Sequence, residues 1–154
     1  MKVIYLDIDG VLNCATTTEK VAGVAGVESE KLRLLNNIVK ETNGKIVLIS
    51  TWKEGWVRDK KFKPFQSLFA RYLDEQFYKA KLTIYDKTSG GVYARSEGIL
   101  DYNLNCGVKK FVILDDTYAD YDGYGLTDNL IKTDARVGLD AEKVRQAVDL
   151  LNKP

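Results

Sequence analysis

The stretch that decides the fold is Val3-Ile4-Tyr5-Leu6-Asp7-Ile8-Asp9-Gly10-Val11-Leu12, near the start of the chain. Its apolar run is short and rich in β-branched and aromatic residues, which predicts a strand buried on both faces of a parallel sheet. Side chains two positions apart on a strand point the same way, so Asp7 and Asp9 begin on one face. Gly10 then permits a sharp turn. The two carboxylates should therefore lie at the carboxyl end of a strand, where open α/β sheets bind ligands.

Two carboxylates placed this close repel each other unless a cation or a proton accompanies them. Mg²⁺ is the cation that best suits such a pair, because it binds oxygen ligands, often one or two carboxylates together with substrate phosphate. The alternative interpretation is a strand end followed by solvated turn acids, since Asp and Gly are common turn residues.

Length and composition indicate one globular domain over residues 1–154, with 45% hydrophobic and 29% charged residues. The net charge of +1 indicates no overall attraction to nucleic acid or membrane. We expect no membrane span and no signal peptide, and we expect Cys14 and Cys106 to be reduced thiols in a cytoplasm. The chain has no histidine, which excludes Ser-His-Asp and Cys-His catalysis and every histidine metal site. Acid–base chemistry must fall to carboxylates, Lys, Tyr or Cys.

The order of the predicted elements is that of a doubly wound sheet. A loop or small flap over 11–27 is followed by a helix over 30–42 with Ser29 as N-cap, and by a buried strand over 45–50. A third strong strand begins at Lys110 and ends in Asp115-Asp116. A short strand over 81–85, an edge strand over 129–132 and a last helix capped by Asp140 complete the set, and residues 118–127 look mobile.

The first stretch resembles the Asp-x-Asp-Gly-x-Leu motif of phosphatases in the haloacid dehalogenase-like (HAD) superfamily. The resemblance implies that Asp7 is the nucleophile and Asp9 the general acid/base. Ser50-Thr51-Trp52-Lys53 resembles the second motif, whose hydroxyl hydrogen-bonds a phosphoryl oxygen. Ser50 is assigned that role, with Thr51 as the rival because the register is uncertain by one residue. A hydroxyl that caps the next helix is the structural alternative.

Arg95 fits the position of the third motif, a Lys or Arg near a helix start, and Lys87 is the runner-up. A fixed positive charge there would stabilise clustered carboxylates and the transferring phosphoryl group. The acid pair at Asp115-Asp116 resembles the fourth motif, in which Asp116 matches the position that ligates Mg²⁺. Asp115 and Asp120 would act through water or hydrogen bonds. The metal site implied by the resemblance draws on Asp7, Asp9, Asp115 and Asp116.

A closer resemblance is to the small HAD domain called Swiss Army Knife RNA repair-like. It is carried by Ser-Thr-Trp-Lys, Arg-x-x-Gly-Ile, Ile-Leu-Asp-Asp and a late Gly-Leu before the final helix, although Gly98 departs from the usual residue before Ile. The resemblance implies an α/β three-layer Rossmann-like sandwich with a mainly parallel sheet and a minimal cap. It also implies a Mg²⁺-dependent phosphohydrolase that works through an aspartyl-phosphate.

The segment after the second motif is basic and aromatic. We expect its aromatic residues at helical spacing to be core, with Pro64 at the helix start, and we leave Trp52 and Trp56 open between core and ligand platform. Thr51, Trp52 and Lys53 are the predicted substrate-binding residues. An open site beside these rings and lysines predicts terminal phosphates on nucleic acids as substrates, with a nucleotide or small metabolite as the alternative. The residues of this helical face are Phe65, Leu68, Phe69, Tyr72, Leu73 and Phe77, and the basic residues are Arg58, Lys60, Lys61 and Lys63.

Two other classes of protein use similar residues. A receiver domain also combines acids, Thr, Lys and Mg²⁺, but its phosphorylated Asp lies on a later strand, so the order here is wrong for it. A metal-binding interaction domain without turnover is the second alternative, and a phosphate-release assay separates it from an enzyme.

Overall fold

A computed structural model describes residues 1–154, except for the side chain of Val92. Its centre is a five-stranded parallel sheet in the order β5-β4-β1-β6-β7. The strands are β1 (Lys2–Leu6), β4 (Lys45–Leu48), β5 (Ile84–Lys87), β6 (Lys110–Asp115) and β7 (Leu130–Lys132). A separate two-stranded hairpin of β2 (Lys20–Val21) and β3 (Val24–Ala25) forms the flap predicted after the first strand.

Helices cover both faces of the sheet, so the architecture is a three-layer α/β sandwich. The helices are α1 (Ser29–Thr42), α2 (Leu68–Lys79), α3 (Arg95–Cys106) and α4 (Ala141–Asn152). Alternate residues of β1 pack in the hydrophobic cores on opposite faces of the sheet. Ile4 and Leu6 pack in the cluster that contains the buried faces of α1, α2 and α4, while Val3 and Tyr5 pack with those of α3. The predicted Rossmann-like fold is thereby confirmed.

Strand order places the functional crevice at β1. The chain passes from β1 to β4 on one side and later to β6 on the other, so the strand order reverses at the carboxyl end of β1. In open α/β sheets such a reversal leaves a crevice in which ligands bind. Leu6 is level with Leu48 on β4 and with Leu114 on β6, so the residues after these three strands meet at one edge.

Several predicted boundaries shift by a few residues. The N-cap of α1 is Glu28, which makes no side-chain cap, and Ser29 is already helical. Pro64 does not begin α2, because it lies inside a 3₁₀ turn over Lys60–Phe65, and Ser67 caps α2 by accepting from Ala70 N. The predicted cap Asp140 is confirmed as the N-cap of α4, and Asn43 is the C-cap of α1.

Two of the expected core residues are at the surface. Phe65 is 84% exposed and Leu68 is 54% exposed, because the 3₁₀ turn breaks the helical face that the aromatic spacing predicts. Tyr121, in the stretch that looked mobile, is fully buried against the α3 face of the sheet. Within the described residues, none of the helices is both long enough and apolar enough to cross a bilayer.

Candidate active site

The carboxyl ends of β1 and β6 bring three acids together. Carboxylate oxygens of Asp7, Asp115 and Asp116 all lie within 4.8 Å of one another. The sheet ladder continues past β1, since Asp7 N donates to Leu114 O at 2.9 Å, and this fixes the two strand ends side by side. Asp7 and Asp115 are 5% and 0% exposed, so the cluster is buried on the strand side.

Gly10 makes room for the acid pair after β6. Its φ is +77°, and a Cβ built on it would collide with the carboxylate of Asp116. The turn is also held from β7, because Thr133 Oγ1 donates to Gly10 O at 2.7 Å. Two features therefore require a glycine at this position: the backbone conformation and the close approach of Asp116.

Arg95, the first residue of α3, is the cation of the cluster. Its Nη1 lies 3.3 Å from Asp7 Oδ2 and 2.5 Å from Asp115 Oδ2, and its side chain is 9% exposed. The rival Lys87 donates instead to Lys53 O at 3.3 Å. Between the two candidates for the third motif, the geometry therefore favours Arg95.

Burial and like charge dominate the electrostatics of the site. Burial, followed by the charge of Asp115, raises the pKa of Asp7 to about 7, although Arg95 opposes the shift. The pKa of Asp116 is raised for the same two reasons. Burial alone would lower the pKa of Arg95, but the charges of Asp7 and Asp115 outweigh it and the net shift is upward. Three carboxylates against one guanidinium leave the cluster short of positive charge.

Asp115 differs from its neighbours because both its oxygens already have donors. Oδ2 accepts from Arg95 and from Tyr121 Oη at 2.6 Å, and Oδ1 accepts from Thr117 N and Oγ1 at 3.0 and 3.1 Å. Asp120 is likewise engaged, since its Oδ1 accepts from Ser96 N and Oγ in the first turn of α3. Both acids therefore hold Arg95 and its helix in place.

Asp9 faces outward and is held by two side chains. Its Oδ1 accepts from Asn13 Nδ2 at 2.9 Å and its Oδ2 from Trp52 Nε1 at 3.0 Å. Asn13 also accepts from Gly10 N, which ties Asp9 to the turn. The sequence interpretation missed Asn13. Its position three residues after the Asp-Gly turn was the available signal, since Asn commonly hydrogen-bonds nearby backbone.

The two candidate hydroxyls of the second motif differ in burial. Ser50 is 1% exposed and its Oγ accepts from Trp52 N at 3.1 Å, which caps the short 3₁₀ turn over Thr51–Lys53. Since the oxygen is the acceptor in that bond, the Ser50 proton is free for a phosphoryl oxygen. Thr51 is exposed and lines a cavity beside Asp9.

The other residues of the second motif do not present their side chains to solvent. The Trp52 ring is 7% exposed and packs edge-on against Phe69 at 5.0 Å, so its contact with Asp9 is a positioning one. Lys53 is 5% exposed, and its ammonium donates to Thr88 O and Oγ1, both at 3.0 Å. The ammonium of Lys53 thereby ties this turn to the loop after β5, and its role in substrate binding stays a prediction.

The aromatic and basic segment splits into a buried and an exposed part. Trp56 is 2% exposed, so it is core, and its Nε1 donates to Asp74 at 3.0 Å. Lys63 pairs with the same carboxylate at 2.7 Å. Arg58, Lys60 and Lys61 remain exposed. Of the two tryptophans left open between core and ligand platform, Trp56 is therefore core, whereas Trp52 is buried but lines a cavity beside Asp9.

A cavity of about 400 Å³, here called the Asp9 cavity, opens beside the exposed carboxylate. Its walls come from the hairpin, from the turn after β4 and from the start of α2. Its lining residues are Asp9, Val24, Thr51, Trp52, Glu54, Ser67 and Phe69.

The acid cluster fits Mg²⁺ by its donor set. Its ligand atoms are carboxylate oxygens, the kind that hard cations prefer. Asp115 is occupied by hydrogen bonds, so Asp7 and Asp116 are the side chains that remain to hold an ion. Burial and the charge of Asp115 raise the pKa of both residues, and a bound cation would offset these effects.

Comparison with known families agrees with this geometry. The model of the HAD domain in Swiss Army Knife RNA repair proteins matches residues 3–144, which include all four motif positions. No curated protein and no solved structure matches the chain significantly. Because the family match spans most of the sequence, the chain belongs to the HAD domains of Swiss Army Knife RNA repair proteins.

Proposed function

We propose that this domain is a Mg²⁺-dependent phosphohydrolase that works through an aspartyl-phosphate on Asp7. The observation that carries the proposal is the placement of Asp7, buried at the end of the central strand, 3.3 Å from Arg95 and beside the acid pair after β6. Membership of the HAD family supports hydrolase chemistry in general. The absence of histidine from the sequence leaves a carboxylate as the best nucleophile and proton carrier available.

In the first step an oxygen of Asp7 bonds to phosphorus while the bond to the leaving oxygen breaks, and Asp9 gives its proton to that oxygen. In the second step Asp9 takes a proton from water, the water oxygen bonds to phosphorus, and the acyl-phosphate bond to Asp7 breaks. Arg95 supplies positive charge where negative charge builds up. Ser50 can donate its hydroxyl proton to a phosphoryl oxygen.

The proposed cation would be held by Asp7 and Asp116. When bound, Mg²⁺ would offset the repulsion between the anionic nucleophile and the anionic phosphate. The chain's own contribution is to hold these two carboxylates side by side, with Arg95 3.3 Å from Asp7 and bound by Asp115.

The test is phosphate release together with acid-trapping of the phosphoenzyme. Wild-type protein should release phosphate from acetyl phosphate with Mg²⁺, lose that activity with a chelator, and regain it on readdition of the metal. Asp7→Asn should form no phosphoenzyme, because an amide is a poor nucleophile. Asp128→Asn, an exposed acid outside the site, is the matched control. Full activity without metal, or a phosphoenzyme in Asp7→Asn, would contradict the proposal, and no turnover on any ester would favour a metal-binding interaction domain.

For the physiological substrate we propose a phosphate at a nucleic-acid end. The family description and the exposed basic side chains of Arg58, Lys60 and Lys61 support it. The site is also open, since its cap is only the hairpin of β2 and β3. A phosphorylated oligonucleotide should then exceed the matching mononucleotide in kcat/KM, and the advantage should shrink as salt rises.

A small phosphomonoester is the second candidate. It is favoured by the Asp9 cavity, which falls in the volume range of small-molecule pockets. Equal kcat/KM on oligonucleotide and mononucleotide, with no salt dependence, would decide for it.

A further inference from the structure

The Asp9 cavity lies where the leaving group of the proposed reaction has to go. In the proposed reaction the phosphoryl group is bonded to Asp7 beside Arg95, and the leaving oxygen has to reach Asp9 to take its proton. Asp9 is the exposed acid of the site, and the indole that holds it, Trp52, is itself a wall of the cavity. Whatever is bonded to the leaving oxygen therefore extends into the Asp9 cavity.

Flat apolar surfaces dominate the walls. Trp52 and Phe69 pack edge-to-face with ring centroids 5.0 Å apart, which makes a rigid wall on one side. Val24, 47% exposed on the hairpin, supplies a further apolar wall. Pockets of this size and lining bury most of a small ligand and gain from apolar rings. Of the two hydroxyl side chains in the lining, the exposed Thr51 can contact a ligand, whereas Ser67 Oγ already donates to Glu54 O at 3.0 Å and accepts from Ala70 N.

The charges of the walls are all negative. Besides Asp9, which carries the proton to be transferred, the acid in the lining is Glu54, and the lining residues, all within the described part of the chain, include no lysine or arginine. A second phosphate or a carboxylate placed inside the cavity would meet the like charge of Glu54, which is unfavourable at short range. This rule concerns only the part of the leaving group inside the cavity, and not the backbone phosphates of an oligonucleotide beyond it. An uncharged leaving group incurs no such repulsion.

We infer that the Asp9 cavity selects phosphomonoesters whose leaving group carries an uncharged, flat, apolar ring next to the phosphate. A nucleoside or an aryl alcohol meets this description, whereas a sugar phosphate as the leaving group does not. The inference rests on the proposed phosphatase function and adds the chemical class of the leaving group.

The experiment compares three esters whose leaving alcohols are chemically matched: ethyl phosphate, 2-phenylethyl phosphate, and 2-phenylethyl phosphate with a para-carboxylate. Wild-type kcat/KM should be about 10- to 100-fold higher for the phenyl ester than for the ethyl ester, the range that apolar pocket contacts supply. The carboxylate should remove most of that gain. Phe69→Leu keeps an apolar group against Trp52 but loses the ring, and it should bring the phenyl and ethyl esters closer together. Glu54→Gln should restore turnover of the carboxylated ester.

Phe65→Leu is the matched control, because Phe65 is 84% exposed and does not line the cavity, and the three ratios should stay as in wild type. Equal kcat/KM for ethyl and phenyl esters would overturn the assignment of the cavity, and undiminished turnover of the carboxylated ester would overturn the charge rule. Hydrolysis of acetyl phosphate is measured in parallel. If acetyl phosphate is also not hydrolysed, it is the proposed function that fails, and not the cavity assignment alone.

Discussion

Replacing Gly10 by alanine tests the geometry of the acid cluster. The residue has φ +77°, and its Cβ would collide with the carboxylate of Asp116. The left-handed backbone costs an L-residue about 1–2 kcal/mol, and the overlap adds about 1–3 kcal/mol if it behaves as overpacking. Gly10→Ala should therefore lower the free energy of unfolding by about 2–5 kcal/mol, which for a domain of this size is a fall in Tm of roughly 4–20 °C.

The collision also has a functional consequence, because the cheapest relief is a movement of Asp116 away from Asp7. Wild-type protein should be stabilised by Mg²⁺, by about 2.7 kcal/mol at a concentration of 100 Kd. In Gly10→Ala this stabilisation should largely disappear, and phosphate release should fall with it. The assay is thermal unfolding followed by circular dichroism, with and without Mg²⁺, in parallel with phosphate release from acetyl phosphate.

Gly23→Ala provides the control for the backbone cost alone. Gly23 has φ +82° in the hairpin, but a Cβ there would meet nothing within 4 Å. This variant should lose about 1–2 kcal/mol of stability and keep the full response to Mg²⁺. If Gly10→Ala lost no more stability than Gly23→Ala and kept its Mg²⁺ response, the close approach of Asp116 to Gly10 would be refuted.

Three further predictions concern charge, positioning and packing. Asp116→Asn removes one of the crowded negative charges, so it should raise the stability of the metal-free protein by roughly 0.5–2 kcal/mol and abolish the Mg²⁺-dependent rise in Tm. Trp52→Phe removes the indole N–H that donates to Asp9, the proposed general acid/base, and should lower kcat by roughly 10- to 100-fold, as expected for a hydrogen bond to an ionisable group. Trp56→Phe, whose N–H donates to Asp74 instead, should leave kcat unchanged. Phe77→Ala, at a fully buried position of α2, should cost about 3–5 kcal/mol in chemical denaturation, while Tyr78→Ala beside it, at 84% exposure, should change stability by less than about 0.5 kcal/mol.

The parts of the site that the sequence could predict are those set by strand ends. Asp7 and the Asp115-Asp116 pair come at the ends of strongly apolar runs, and the carboxyl ends of parallel strands lie together at one edge of the sheet. Arg95 could be identified because it fits the third motif, a Lys or Arg at the start of a helix shortly before the last of these strands. Strand periodicity and the order of strands and helices along the chain can both be read from one sequence.

The parts that the sequence could not predict depend on tertiary contacts. Nothing local tells whether Trp52 turns its ring to solvent or to the core, and only the fold shows that its indole N–H reaches Asp9. The spacing of Phe65 suits the buried face of a helix, but the 3₁₀ turn around Pro64 moves it to the surface. Tyr121 stands among glycines and acids typical of a loop, yet its hydroxyl reaches the buried Asp115.

The contacts of the clustered acids give each acid a different role, which the motif alone does not show. Asp115 is fully buried and takes four donors, so its charge is committed to fixing Arg95. Arg95 also lies 3.3 Å from Asp7, and its charge lowers the pKa of Asp116 by less than burial and the charge of Asp115 raise it. Burying uncompensated charge costs stability. Functional sites are where a sequence is expected to contain such features that do not favour the fold. The raised pKa of Asp7 and of Asp116 is the electrostatic sign of that cost, and a divalent cation between the two carboxylates is the ligand that would remove it.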